Sequence, residues 1–466
     1  GDVTERPNIA RLIDRVQPLV DALRTRLIER PTQAARQELL WYEDLVLYLL
    51  YERARHEMHD AIERALATGS APQRFAVWKR FLAEFEHYLH LPNVTLPSDH
   101  EPAHVFACYF QIRRAFAHIF QYIVGGSMPA AKLRAEVWHS IFTRDLRRYY
   151  RGLYQHMADY TTLVTGDSGT GKELVARAIG SSRYIPFDPE AQRFKEDFAG
   201  SFFALNPAAL SPTLVESELF GHKRGAFTGA VSDRTGWLEA CPPLGTVFLD
   251  EIGELEPAIQ VKLLRVIQSR TFQRLGETAT RTFHGKIIAA TNRDLAHEMH
   301  EGRFRTDLYY RLCADLIHAP SLRAQLADRP EELARLVRFV AQRVAGEQGE
   351  QIAPEVVAWI ERELGPDYPW PGNFRELEQC VRNVVIRGDY APPRAEGMDM
   401  GPMERMCGAL RAGEWSMDEL MRHYCTLVYA RCGSYVEAAR RLGLDRRTVA
   451  ARVDPELARQ MDGRHD

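Results

Sequence analysis

The sequence predicts an α/β core on a covered parallel sheet, flanked by an all-helical N-terminal region and a small helical C-terminal tail. Three observations predict it. Apolar residues recur at three-to-four spacing from Asn8 to about Ala130, with no alternating pattern that would mark a strand. Between Thr161 and Ala319, five short apolar runs of β type alternate with helix-length segments. Beyond a stretch holding Pro392, Pro393, Gly397, Gly401 and Pro402, three short segments with helix start signals close the chain. The expected boundaries are 1–132 for the helical region, 133–320 for the α/β part, 321–390 for a second helical part, 391–412 for a linker and 413–466 for the tail.

Leu39, Leu40, Leu45, Val46, Leu49 and Leu50 give the N-terminal region its helical period. After Lys132 a long basic and aromatic helix, with Arg144, Arg147, Arg148, Tyr149 and Tyr150, is expected to lead into the α/β part. The strand runs are Thr161–Thr165, Ser201–Leu205, Thr246–Leu249, Lys286–Ala290 and Leu316–Ala319. Helices are expected from about Glu331 to Arg387. In the tail, Ser416 to Glu419 and Ser434 to Glu437 read as capping boxes, and Asp445 can cap a third helix after the Leu442-Gly443-Leu444 turn.

Of the 466 residues, 45% are hydrophobic and 26% charged, which is enough apolar material for two to four ordinary cores. The formal net charge of -3 excludes a chain that holds nucleic acid by overall positive charge, so any DNA contact must be local. Seven scattered cysteines without a CxxC pair argue against a disulfide framework and a zinc ribbon. The most apolar stretch, Leu45–Tyr51, lies between Asp44 and Glu52, so neither membrane insertion nor export is expected, and the cytoplasm is the expected location.

The first strand runs into Gly166-Asp167-Ser168-Gly169-Thr170-Gly171-Lys172, and a helix from Glu173 follows. This is a phosphate-binding loop in its required context. The glycines let backbone N–H groups converge on phosphate oxygens, and Lys172 neutralises the terminal phosphates, which points to ATP. Glu173 stands where the generic motif has a magnesium-binding hydroxyl, so Mg2+ must rely on another carboxylate and on water. The third strand ends in Asp250-Glu251. Adjacent acids at the tip of a buried strand are costly unless used, so Asp250 is expected to hold Mg2+ and Glu251 to orient or deprotonate the attacking water. Asn292, closing the fourth strand, has an amide able to position that water.

Together with Glu218-Leu219-Phe220-Gly221-His222 and Gly225-Ala226-Phe227-Thr228-Gly229-Ala230, the loop resembles the bacterial enhancer-binding proteins, NtrC-type AAA+ activators of sigma-54 RNA polymerase. The resemblance runs from about Leu133 to the C-terminus. It implies an AAA+ P-loop ATPase with a helical lid over 321–390, and a loop whose tip, Gly225 to Ala230, contacts the sigma factor. An aromatic between flexible glycines suits such a mobile apolar contact. Glu173 is usual in that family. By the same match Asn206 restrains Glu251, and Arg305 and Arg311 of Gly302–Leu312 reach the γ-phosphate of a neighbouring subunit. Arg375, in Trp370–Leu377, lies over the nucleotide from the lid, with Asn373 as a plausible N-cap. The family further implies a homo-oligomer, a hexamer assembled from dimers.

The tail is similar to the family's Fis-type helix-turn-helix. Between Arg431 and Arg452 six arginines stand against Glu437 and Asp445, a local excess of four positive charges (6 − 2). Arg446, Arg447, Thr448 and Arg452 lie on or near its third helix and are expected to touch double-stranded DNA upstream of a promoter. The N-terminal region lacks the strand-Asp pattern of a phosphoacceptor domain and is expected to receive an unknown effector. Its paired histidines, His56 with His59, His87 with His90 and His100 with His104, make metal sensing conceivable, against the plainer reading of solvated helix faces. The function these features imply is sigma-54-dependent activation by an ATP-hydrolysing ring. A DNA-binding repressor with a regulatory ATPase and an AAA+ remodeller of another protein remain open at this point.

Overall fold

The helical period of the N-terminal region closes in the computed structural model into α1 (Pro7–Glu29), α2 (Arg36–Thr68), α3 (Val77–Leu89), α4 (Pro102–Tyr122), α5 (Met128–Phe142) and α6 (Leu146–Arg151). The structure describes residues 7–31, 34–70, 74–197, 202–207, 210–392, 415–455 and 457–458. They fall into two compact units, Gly1–Tyr390 and Ala391–Asp466. Among the described residues no helix is long and apolar enough to cross a membrane. Of the expected linker, 393–412 lies outside the described residues, as does Cys407; the other six cysteines are free.

The long helix expected after Lys132 is instead two. Thr143 takes φ 63°, and the Asp145 carboxylate accepts N–H bonds from Arg147 and Arg148 at 3.0 and 3.2 Å, so a new helix starts at Leu146. A single-turn 3-10 segment, Leu153–Gln155, then leads toward the sheet.

Each apolar run becomes a strand within one residue of its expected ends. In chain order the strands are β1 (Thr162–Thr165), β2 (Phe187–Asp188), β3 (Arg193–Phe194), β4 (Phe202–Leu205), β5 (Gly221–His222), β6 (Arg234–Thr235), β7 (Thr246–Leu249), β8 (Thr271–Phe272), β9 (Arg281–Thr282), β10 (Lys286–Thr291) and β11 (Asp315–His318). The runs pair in parallel in the order β11-β1-β10-β7-β4, and the remaining strands form three two-residue antiparallel ribbons. Because all five run the same way, the residues after β1, β7 and β10 emerge along one edge of the sheet. The helices among and after them are α7 (Lys172–Gly180), α8 (Pro212–Phe220), α9 (Trp237–Ala240), α10 (Pro257–Ser269), α11 (Leu295–His300), α12 (Thr306–Leu312), α13 (Leu322–Asp328), α14 (Glu332–Ala345), α15 (Gly349–Glu363) and α16 (Asn373–Arg387).

The N-terminal helices share cores with the α/β part, and the expected boundary at 132/133 falls inside α5. Phe75, Phe106 and Phe110 close on Phe187 and Phe194 of the β2–β3 ribbon, with ring centroids 4.4 to 6.4 Å apart. Ile119, Leu133, Val137 and Ile141 pack with Val164, Val175 and Ile288 on one face of the sheet. Phe106 is fully buried, and truncating such a ring typically costs about 3–5 kcal/mol, so the helices are bound to the core rather than tethered beside it.

The described residues of the smaller unit form three helices, α17 (Met417–Cys432), α18 (Tyr435–Leu442) and α19 (Arg446–Arg452), around Cys425, Ala438, Ala439, Val449 and Val453. Ser416 and Glu419 form the expected capping box, and Asp445 accepts from Arg447 N–H at 2.8 Å. Ser434 makes no side-chain cap bond: Glu437 is drawn away by Arg440 and Arg441 at 2.8 and 3.1 Å.

Candidate functional site

The loop after β1 folds as its glycines require, with Gly166, Gly169 and Gly171 all at positive φ. At Gly169 the reason is close approach: a Cβ there would lie 2.2 Å from the Gly372 carbonyl oxygen of the lid. Lys172 opens α7 and is buried. Its Nζ donates to the Gly166 and Asp167 carbonyls at 3.0 and 3.2 Å and stands 3.8 Å from Glu251 Oε1. Thr170 Oγ1 donates to Asp167 O at 2.8 Å, which braces the turn.

Asp250 leaves the end of β7, its N–H bonded to Leu205 O at 2.8 Å. Burial, and then the adjacent Glu251 charge, push the Asp250 carboxyl above the usual carboxylate range. Glu251 sits at φ 47°, a left-handed conformation that costs a residue with a Cβ on the order of 1–3 kcal/mol. The cost places its carboxylate between Lys172 and Asn292 N–H, which donates to Oε2 at 3.1 Å. It is therefore the main chain of Asn292, not the side-chain amide expected to hold water, that touches the acid. Asn206 is the residue after Leu205, the β4 residue whose carbonyl holds Asp250. Glu173 turns outward to Arg177, at 3.0 and 2.9 Å.

A cleft of about 340 Å³ lies over this edge. Its lining includes 168–173 of the loop, Asp250, Glu251 and Arg375, but not Asn206, Asn292, Arg305 or Arg311. Arg375 Nη1 donates to Ser168 Oγ at 3.4 Å. Asn373 is not an N-cap: it starts α16 at φ 53°, donates to Ser168 O at 3.0 Å and accepts Leu322 N–H at 2.9 Å, while Phe374 N–H reaches Gly169 O at 3.0 Å. The lid is stitched to the phosphate loop by three donors. The sequence reading missed this suture and the apolar mouth of the cleft at Ile123 and Val124, because an Asn after Pro-Gly reads locally as a cap and short apolar segments read as core.

Arg305 stands at the N-cap of α12 and Arg311 in its last turn, both with exposed side chains, while Leu308 and Leu312 bury the helix's other face. Arg305 forms a two-pronged pair with Asp307 at 3.0 and 2.8 Å. The Gly225–Ala230 loop closes through Gly225 N–H to Ala230 O at 2.8 Å and Ala230 N–H to Phe227 O at 3.0 Å. Phe227 is half-buried edge-on against His222, with centroids 4.9 Å apart, while Thr228 and Gly229 are exposed. His222 is itself fixed by Ser217 Oγ at 2.7 Å.

In the tail Arg446, Arg447 and Thr448 are exposed, whereas Arg452 is tied to Asp418 at 2.7 Å. The paired histidines of the N-terminal region are dispersed: His59 meets Glu63 at 3.5 Å, His90 meets Glu86, and His104 bonds Tyr184 and the Tyr150 carbonyl. Among the described residues no three His, Cys, Asp or Glu side chains gather as metal ligands.

A phosphate loop, a strand-end acid pair and a helical lid on a five-stranded parallel sheet define the AAA+ class of P-loop proteins. Residues 143–318 match the sigma-54 interaction domain family. It is 41% identical over 300 residues to the Nif-specific regulatory protein of Azotobacter vinelandii, covering 63% of this chain and 53% of that protein. With transcriptional regulatory protein ZraR of Klebsiella oxytoca it shares 40% over 306 residues, 64% of this chain and 63% of that one. The chain thus spans between half and two thirds of the length of these relatives. Among solved structures, NtrX from Brucella abortus aligns over 81% of this chain and 74% of its own at 25% identity, with a TM-score of 0.42.

Proposed function

We propose that this chain is an ATP-hydrolysing activator of sigma-54 RNA polymerase, assembled as a homo-oligomeric ring and tethered to double-stranded DNA by its C-terminal helices. The observation that carries the reading is that Lys172, Asp250 and Glu251 meet at one sheet edge, in the same folded unit as the Gly225–Ala230 tip, which is exposed at Thr228 and Gly229.

Lys172 and the loop N–H groups hold the β- and γ-phosphates, and the lid covers them through Arg375. Glu251 holds a water in line with the γ-phosphorus and takes its proton as the bond to ADP breaks, leaving ADP and phosphate. The residues fit Mg2+: Asp250 and Glu251 are a buried-edge acid pair whose only cation within 4 Å among the described residues is Lys172, so a divalent ion relieves their repulsion. When bound, Mg2+ neutralises charge developing on the phosphate oxygens. With Glu173 committed to Arg177, Asp250 would be the protein ligand that holds it. Arg305 and Arg311, outside their own cleft, complete a neighbour's site. A hexamer built from dimers, the cytoplasm as location and an effector acting on residues 1–132 belong to the same reading.

Thr228→Ala tests the link between hydrolysis and output. Its side chain is exposed and remote from the cleft, so ATP turnover is expected to stay within about twofold of wild type, as for surface substitutions generally. Open-complex formation at a sigma-54 promoter is expected to be lost. Equal loss of both activities would make the loop structural and overturn the assignment.

Arg446, Arg447 and Thr448 are exposed on α19, the helix that enters a major groove in this reading. Arg446→Ala with Arg447→Ala is expected to weaken enhancer DNA binding roughly tenfold to a hundredfold in a gel-shift titration, and to flatten its salt dependence. Unchanged affinity would move the DNA surface elsewhere.

A further inference from the structure

A second cavity, of about 500 Å³, lies where α4, the 146–155 connection and the chain leaving α7 meet. Its size is that of a small-ligand pocket. Three cations line it. The Lys286 Nζ donates only to the Tyr160 and Met157 carbonyls, at 2.8 and 3.3 Å, and Arg183 donates to the Pro243 and Gly245 carbonyls. Lys195 stands exposed. None of the three has a carboxylate within 4 Å among the described residues, and Glu101 is the one acid on the wall. Burial, only partly offset by the charge of Asp315 on Lys286 and of Glu196 on Arg183, pushes Lys286 down to about 8 and Arg183 down to about 10.

A second, independent feature is an unmet acceptor. Gln111 is 1% exposed; its amide nitrogen is given to Tyr149 Oη at 2.6 Å and Ser182 O at 2.9 Å, while Oε1 has no hydrogen-bond partner. A buried acceptor left unmade is destabilising, and buried cations are ordinarily paired. The rest of the wall is apolar or aromatic, including Ile179 and Phe187.

We propose that this cavity binds a small organic anion with an aromatic or apolar body, whose carboxylate or phosphate is held by Arg183, Lys195 and Lys286 and whose own hydroxyl or N–H donates to Gln111. The cavity grips the far ends of two rigid elements of the nucleotide site. Ile179 lies in the last turn of α7, which begins with Lys172, and Lys286 begins β10, which ends beside the Asn292 N–H that holds Glu251. His104 fastens the same wall, bonding Tyr184 Oη at 2.8 Å and the Tyr150 carbonyl at 2.9 Å. Occupancy therefore couples to nucleotide affinity, and by linkage each ligand changes the other's affinity by the same factor. This coupling rests on the ATPase reading; the binding site does not.

The test is calorimetry on the full chain without nucleotide, using 4-hydroxybenzoate, phenyl phosphate and the neutral 4-hydroxybenzamide as probes. Saturable 1:1 binding of at least one anion is expected, tenfold or more tighter than the neutral amide, and which anion binds tighter tells carboxylate from phosphate. Lys195→Glu, on an exposed side chain that leaves the fold intact, is expected to weaken the anion at least fivefold. Benzoate, which lacks the hydroxyl that donates to Gln111, is expected to bind more weakly than 4-hydroxybenzoate, and Gln111→Leu is expected to erase that preference. No saturable binding by either anion, equal affinity for anion and amide, or indifference to Lys195→Glu would each overturn the proposal, whatever the chain does with ATP.

Discussion

Lys172→Ala is expected to lower ATP affinity on the order of a hundredfold and to abolish hydrolysis. The side chain is buried under the loop, and its ammonium is already positioned by two loop carbonyls, so it meets the phosphates with little further ordering. Hydrogen bonds to a charged group contribute about 1.5–3 kcal/mol, and the upper end of that range is a factor of roughly a hundred in affinity. The substitution also leaves Glu251 without its cation at 3.8 Å, which raises the repulsion within the acid pair. Equilibrium binding of a fluorescent ATP analogue and a phosphate-release assay check the two parts. Hydrolysis retained near the wild-type rate would remove the site.

Arg305→Ala and Arg311→Ala are each expected to slow turnover by about 10³-fold or more while leaving ATP binding nearly unchanged, because an arginine supplied to a γ-phosphate acts on the transition state. In the single chain neither residue lines the cleft, and Arg305 is parked on Asp307 in an exposed, weakly held pair that a phosphate readily outcompetes. The geometry therefore makes a specific demand on mixtures. Lys172→Ala and Arg311→Ala chains, each inactive alone, are expected to recover part of the hydrolysis when mixed, since some interfaces then pair an intact loop with an intact arginine. A mixture as inactive as its components would confine the arginines to their own subunit.

The parallel sheet was legible because its strands are buried on both faces and so read as continuous apolar runs between helix-length segments. The acids after β7 were legible because charge at the end of such a run is conspicuous. What escaped is tertiary. The ribbons are two residues long, below any periodicity, and the partners of Phe187 and Phe194 are rings far away in sequence, Phe75 just before α3 and Phe106 on α4. Asn373 has the local look of a cap and is used across more than two hundred residues of chain to hold Ser168. Ser434 shows the converse: its box partner Glu437 is captured by two nearer arginines, so a correct local pattern yields no cap. The histidine pairs read as clusters only in sequence, because neighbours on a helix face different partners once it packs.

In the proposed activator, energy released in the cleft reaches the polymerase through the Gly225–Ala230 tip. The direct measurement is open-complex formation on one promoter template carrying an upstream binding site, comparing sigma-54 holoenzyme with the ordinary holoenzyme, and ATP with a non-hydrolysable analogue. The prediction is open complexes only with sigma-54 holoenzyme and only with ATP. Open complexes that form equally with the analogue, or none with sigma-54 holoenzyme while ATP is being turned over, would contradict it.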